Sequence, residues 1–233
     1  HLIHMSPRPC LHQVVRHHSL IVDPAPALRQ DGIDAFGNPI VTLDIEVPHR
    51  ELILHARSTI IVHAAPELEP ARSTPWNLLD AHILETGRPL DLDVLQYRCT
   101  SKLTTPNLDI EAYAAKSFRP GRPVLEAAID LNQRIFDEFT FDPTATDIST
   151  PITHVFKQRR GVCQDFAHLA LACLRAMRVP GRYVSGYILT HPPPGQPRMQ
   201  GADASHAWIS VWSPERGWTD LDPTNGLIVA EEH

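Results

Sequence analysis

Three residues in this chain have the types and the order for nucleophilic acyl chemistry. Cys163 follows Gly161-Val162 and opens the apolar run Phe166-Ala167-His168-Leu169. His206 stands 43 residues downstream in Ser205-His206-Ala207-Trp208, and Asp222 16 further in Leu221-Asp222-Pro223-Thr224-Asn225. A thiol has an ordinary pKa of about 8.5 and needs help to ionise at neutral pH. A helix N-terminus supplies unpaired N–H groups and the positive end of a dipole, which places Cys163 well if a helix starts there. Its backbone N–H could also face a developing oxyanion. The expected roles follow: Cys163 as nucleophile, His206 as the base that takes its proton and returns it to the leaving group, and Asp222 as the group that orients the imidazole. Each residue alone has a plainer reading, as a buried cysteine, a strand histidine and a turn residue before proline. The three together favour a site for attack on amide or ester carbonyls.

A hairpin must bring the last two together. With Ser213 to Gly217 as its loop, Trp212 faces Trp218, Ser210 faces Asp220, Trp208 faces Asp222 and His206 faces Thr224. Side chains two apart share a strand face, so Asp222 lies diagonal to His206 at roughly 5–8 Å between Cβ atoms. Asp220 is one pair further away and is the weaker orienter. A one-residue slip would undo this arrangement. Gln164, Trp208 and Asp220 are candidate contacts to substrate or oxyanion, and Trp208 with Trp212 is expected to wall the cleft.

The remaining elements read as α+β. Residues 13–22, 40–47 and 51–63 read as strands of an antiparallel sheet, with a turn over 32–39. In the last of these, Leu52, Leu54, Ala56, Ser58, Ile60 and Val62 share one face. Residues 66–70 look like a linker, which divides the chain into an N-terminal β domain (1–68) and a core (69–233). Ser73-Thr74-Pro75 predicts a helix start, with Trp76, Leu79, Ile83 and Leu84 inward. Helices are expected over 90–97, 107–118, 123–139, 152–159 and 163–177; the 123–139 stripe of Val124, Ala127, Ala128, Leu131 and Ile135 is the clearest. Strands are expected over 182–189, 204–212 and 218–222. The proline-rich loop 191–201 and the helix after Ser73 are expected to form the substrate pocket.

The segments Gly161-Val162-Cys163-Gln164-Asp165-Phe166-Ala167-His168, Tyr183-Val184-Ser185-Gly186-Tyr187, Ser205-His206-Ala207-Trp208 and Asp222-Pro223-Thr224-Asn225 resemble the bacterial transglutaminase-like family. Phe36-Gly37-Asn38 and Pro48-His49-Arg50-Glu51-Leu52 resemble that family's N-terminal region. The resemblance implies a papain-like fold and a Cys–His–Asp triad carried onto Cys163, His206 and Asp222. That family usually has a strand or two more before residue 1 and further strands after residue 233, which this sequence is expected to lack. The superfamily includes transglutaminases, peptidases, amidases and inactive scaffolds, so the resemblance alone selects no reaction. The tryptophan that supports the oxyanion in animal transglutaminases has no matching position. No acidic calcium-type loop is present, and calcium dependence is not expected.

Composition narrows the partners. With 21 Lys and Arg against 27 Asp and Glu, the net charge is −6, which argues against nucleic acid or an anionic membrane. No apolar run approaches the ~20 residues of a membrane span, and prolines interrupt residues 1–30 where a signal peptide would need an apolar stretch. Cys10, Cys99, Cys163 and Cys173 form no C-x-x-C pair. On one helix, Cys163 and Cys173 stand about 15 Å apart, beyond disulfide reach. A reducing, cytoplasmic setting is expected. The 14 histidines show no His-Glu-x-x-His spacing, so neither a metal nor a cofactor is expected. The leading expectation is a cysteine-dependent acyl transferase or amide hydrolase acting on a peptide or protein. The alternatives are a non-catalytic binding module on the same fold and a metal-dependent hydrolase using the histidines.

Overall fold

Alternating apolar residues and well-placed turns build the first part of the chain. The computed structural model describes residues 1–86, 92–190, 195, 198–202 and 205–233. It divides into two compact units, His1–Pro66 and Glu67–His233.

The first unit contains β1 (Leu2–Ile3), β2 (Gln13–Asp23), β3 (Leu28–Ile33), β4 (Pro39–Asp44) and β5 (Ile53–Val62). They form two antiparallel sheets, ordered β1-β4-β3 and β2-β5. Leu20, Val41 and Leu43 are its buried centre, with Ile3, Val22 and Leu54 against them. The turn before β4 is narrower than expected. The Asp34 carboxylate accepts the Phe36 and Asn38 backbone N–H groups at 2.8 Å each, and Gly37 takes φ +79. Gly32 belongs instead to β3, an exposed edge strand whose polar sequence gives no alternation. The expected strand over 40–47 stops at Asp44, leaving Val47 51% exposed. The expected inward face of β5 is also corrected: Ala56, Ser58 and Ile60 are exposed. In a two-stranded ribbon each residue has fewer cross-strand neighbours than in a central strand.

The second unit opens with 3-10 turns at Pro70–Arg72 and Trp76–Leu78, followed by α1 (Leu79–Thr86). Leu79 and Ile83 are buried, whereas Leu84 is 70% exposed and leaves the expected stripe. Ser73 does not cap this helix. Its Oγ accepts the Leu125 N–H at 3.1 Å, so it serves the start of α3 instead. The expected helix over 90–97 lies partly outside the described residues; Val94–Arg98 forms a 3-10 turn. Next come α2 (Leu108–Ala115), capped by the Asn107 side chain accepting the Ile110 N–H, and α3 (Val124–Glu138). On α3 the stripe Val124, Ala127, Ala128, Leu131 and Ile135 is fully buried. Thr140–Phe141 (β6) pairs in parallel with Arg160–Gly161 (β7), flanking α4 (Ile152–Gln158). Arg159 ends α4 in the left-handed conformation, φ 56.

Helix α5 (Cys163–Ala176) is the centre of this unit. It packs on α2, α3 and α4 and on the sheet formed by β8 (Gly181–Gly186), β9 (His206–Ser213), β10 (Gly217–Asp222) and β11 (Leu227–Ile228). The strand order is β11-β10-β9-β8, antiparallel throughout. Every residue of β9 is buried, as expected of an interior strand covered on both faces. The hairpin pairs Trp212 with Trp218, Ser210 with Asp220 and Ile209 with Leu221. Its loop closes at Gly217, φ +77, the left-handed position of a short hairpin turn.

Candidate active site

The position of the candidate nucleophile is built by backbone geometry at the start of α5. Val162 is extended (φ −113, ψ 176), and Cys163 is the first helical residue. The Asp165 carboxylate reaches back to accept the Val162 N–H at 2.8 Å and the Thr146 hydroxyl at 2.6 Å. This is the carboxylate half of a capping box. Gly161 is required by close approach: a Cβ there would meet Asp165 Oδ2 at 2.7 Å. Cys163 is half-buried, and Gln164 follows it on the same turn, also half-buried.

His206 opens β9, paired with Gly186 of β8. Its side chain is 0% exposed, as is that of Asp222 at the end of β10. His206 Nε2 lies 2.9 Å from Asp222 Oδ2. An ionised carboxylate only accepts, so this nitrogen carries the proton. Nδ1 is buried with no hydrogen-bond partner, and Cys163 acts on the ring's protonation together with Asp222. Burial alone would disfavour a charged imidazole. The interactions with Asp222 and Cys163 outweigh it and raise His206 to about 9. Gly201, φ +84, closes over the same ring edge, and a Cβ there would sit 2.6 Å from Nδ1.

Asp222 is saturated with donors. Oδ1 accepts the Thr224 N–H at 2.8 Å and the Asn225 N–H at 3.3 Å. Oδ2 accepts His206 Nε2, Asn225 Nδ2 at 2.7 Å and His233 Nε2 at 3.1 Å. Burial by itself would raise this carboxyl. The hydrogen bonds, led by His206 and His233, hold it far below the ordinary carboxylate value. His206, Asp222 and His233 also offer three ligand atoms within 4.8 Å of one another, a set that could hold a metal ion.

The other residues singled out from sequence divide. Asp220 Oδ2 accepts the Trp208 indole N–H at 3.2 Å, so that donor is engaged away from an oxyanion. Trp208 lies beside His206, ring centroids 6.2 Å apart, and Gly186 leaves room for it: a Cβ there would meet its ring at 2.4 Å. Trp212 belongs to the main core. The expected pocket is corrected in one wall. The turn after Ser73 lines a cavity with Met177 and Arg178, beyond the far end of α5, roughly 20 Å from its first residue. The other expected wall, 191–201, lies largely outside the described residues. Cys173 is fully buried and its thiol is pushed up to about 12 by burial, as suits an inert core cysteine. Asn225 and His233 received no role from sequence. Asn225 stood in the quoted Asp-Pro-Thr-Asn segment, and its spacing allowed a local turn onto Asp222. His233 carried no local signal, because the chain reaches Asp222 only after passing through β11.

Comparison with known proteins follows the same division of the chain. Residues 111–223 match the Transglutaminase-like superfamily and residues 1–61 the Bacterial transglutaminase-like N-terminal region. An uncharacterised Mycobacterium tuberculosis protein is 41% identical over 236 residues, covering 98% of this chain and 74% of its own. The chain belongs to the transglutaminase-like superfamily. Its α+β architecture is that of transglutaminase-like and papain-like cysteine proteases, after an N-terminal β region. A Cytophaga hutchinsonii protein assigned as a cysteine protease superposes with TM-score 0.70 at 19% identity, covering 99% of this chain and 74% of that one. A protein-glutamine gamma-glutamyltransferase of Pseudomonas aeruginosa is 34% identical over 87 residues, 37% of this chain and 13% of that protein. In a transglutaminase-like core, a cysteine opening the central helix and a histidine opening the neighbouring strand need no contiguous motif. The packing of α5 on β9 brings them together.

Proposed function

We propose that this chain is a cysteine-dependent acyl-transfer enzyme acting on peptide or protein amides through the triad Cys163, His206 and Asp222. One observation carries the reading: a fully buried His206–Asp222 pair at 2.9 Å, whose imidazole Asp222 and Cys163 together hold in its charged form. In the first half-reaction the His206 imidazolium already holds the proton given up by the thiol, and the sulfur adds to the carbonyl carbon. The tetrahedral intermediate then expels the amine, which receives the proton from His206, and a thioester remains on Cys163. Attack by water releases an acid, or attack by a second amine forms a new amide; either restores the thiol. Asp222 keeps Nε2 protonated, so that Nδ1 is the nitrogen free to exchange the proton with Cys163. The Cys163 N–H at the helix start is the first candidate oxyanion donor, with Gln164 beside it.

Hydrolysis is the favoured outcome, since water needs no second binding site. Amine transfer is the second reading, supported by the stretch shared with the gamma-glutamyltransferase. The four unpaired cysteines fit a reducing, cytoplasmic location; recovery of the chain in disulfide-linked form from cells would contradict it.

Mass spectrometry after limited iodoacetamide treatment tests the triad. Cys163 should be alkylated at least about tenfold faster than Cys10 and Cys99, and H206A should remove that advantage. Equal labelling of the exposed thiols and Cys163 would sink the proposal. A peptidase panel run beside incorporation of a fluorescent amine then separates water from amine as acceptor. Activity that survives C163A but is lost to a chelator would favour the metal-dependent alternative at His206, Asp222 and His233.

A further inference from the structure

The Asp222 carboxylate is oversubscribed. Five donors converge on it: the Thr224 and Asn225 N–H groups on Oδ1, and His206 Nε2, His233 Nε2 and Asn225 Nδ2 on Oδ2. An ionised carboxylate offers about four lone-pair sites, so the three donors on Oδ2 compete for one oxygen. His233 is built into this position. Its side chain is 1% exposed, and its ring stands edge-on to Trp208 at 5.2 Å and 6.1 Å from the His206 ring. Its Nδ1 is buried without a hydrogen-bond partner. A buried nitrogen left unpaired is a cost that an apolar ring of the same size would avoid. The gain that offsets it is the proton that Nε2 presents to Asp222.

We infer that His233 is a positioning residue of the triad: by donating to the same oxygen that receives His206, it divides that acceptor and limits how strongly Asp222 holds an imidazolium at His206. The general acid of an acyl transfer must release its proton to the leaving group, and a base held too tightly as imidazolium does this poorly. Among the described residues, the other ionisable groups near the ring are these. Cys163 faces it from α5, Asp165 on α5 is held by Val162 and Thr146, and Asp220 on β10 is held by Trp208. The consequence for catalysis rests on the proposed function; the sharing of the oxygen does not.

The test is therefore made first on the ring itself. In protein labelled with ¹⁵N-histidine, long-range nitrogen–proton spectra follow the titration of His206. H233F keeps the ring volume beside Trp208 and removes the donor. It should raise the His206 midpoint by about half to one pH unit, the size expected when one of several hydrogen bonds to a carboxylate is removed. H233A should move it the same way, and serves if the Phe ring disturbs folding. H233Q, whose amide N–H can reach the same oxygen, should stay near the wild-type midpoint. An unchanged midpoint in both donor-less variants, or an equal shift in H233Q, would overturn the inference. The rate of Cys163 alkylation against pH, measured on the same proteins, should move with the ring titration. Absence of selective alkylation in the wild-type protein would count against the proposed function, while the ring titration still decides the role of His233.

Discussion

The His206–Asp222 pair ties stability to pH in a direction its surroundings fix. His206 is raised from 6.5 to about 9 in the fold, so its contribution is fully present below about 6.5 and is lost as pH rises through about 9. Asp222 is depressed from 3.8, so its contribution is present above that value and is lost as pH falls through the depressed one. Between these limits the pair is ionic and fully buried. Removing one charge from such a pair leaves the other uncompensated, which costs about 3–5 kcal/mol. D222N keeps the shape and removes the charge. Denaturant unfolding should therefore find it about 3 kcal/mol or more less stable than wild type near pH 6, with the gap closing near pH 10, where the imidazole is neutral. A gap independent of pH would mean that the pair is held as neutral groups. The places of Cys163, His206 and Asp222 in the fold were legible in the sequence because each depends on local geometry: a helix start, a strand start and a diagonal across one hairpin. Asn225 and His233 were not. Nothing in the local pattern says that a carboxylate will collect donors from the turn that follows it and from beyond the next strand.

At the scale of elements, the start of α5 does the positioning. Asp165 ties the Val162 N–H and the Thr146 hydroxyl to one carboxylate oxygen, and so fixes the turn that presents Cys163. Two effects oppose each other in D165A. Loss of the cap frees the first turn and costs about 1–2 kcal/mol. Loss of a negative charge near the thiol would by itself favour the thiolate. That charge is already hydrogen-bonded on two sides, so the geometric loss should win. We expect a lower melting temperature together with slower Cys163 alkylation; faster alkylation would show that the charge had outweighed the cap. The longest helices, α3 and α5, were readable from their apolar stripes because helix burial is written at a regular spacing. Segments such as β3, β6 with β7, and β11 are defined by backbone pairing with a distant partner, and their side chains show no alternation to read. Ser73 misled for a related reason: its hydroxyl caps a helix 52 residues away along the chain.

For the whole molecule, the two units differ sharply in what they bury. In Glu67–His233 a continuous core runs from Leu79 on α1 through α3 and α5 to Leu221 on β10. In His1–Pro66 the buried centre is Leu20, Val41 and Leu43, while Leu28, Ile33, Ile21 and Val47 are each more than half exposed. A unit of roughly 60 residues is marginal even with a full core, because it buries a smaller fraction of its surface than a larger one. Each unit's own interior therefore predicts two calorimetric transitions, a smaller one at lower temperature for the N-terminal unit and a larger one for the second unit. Cys163, His206 and Asp222 all lie in the second, so selective alkylation of Cys163 should persist between them. Limited proteolysis in that interval should cut before residue 67 and leave a fragment that still alkylates. A single transition, with Cys163 selectivity lost as it begins, would mean that the small core is stabilised by the large one and that the triad depends on both.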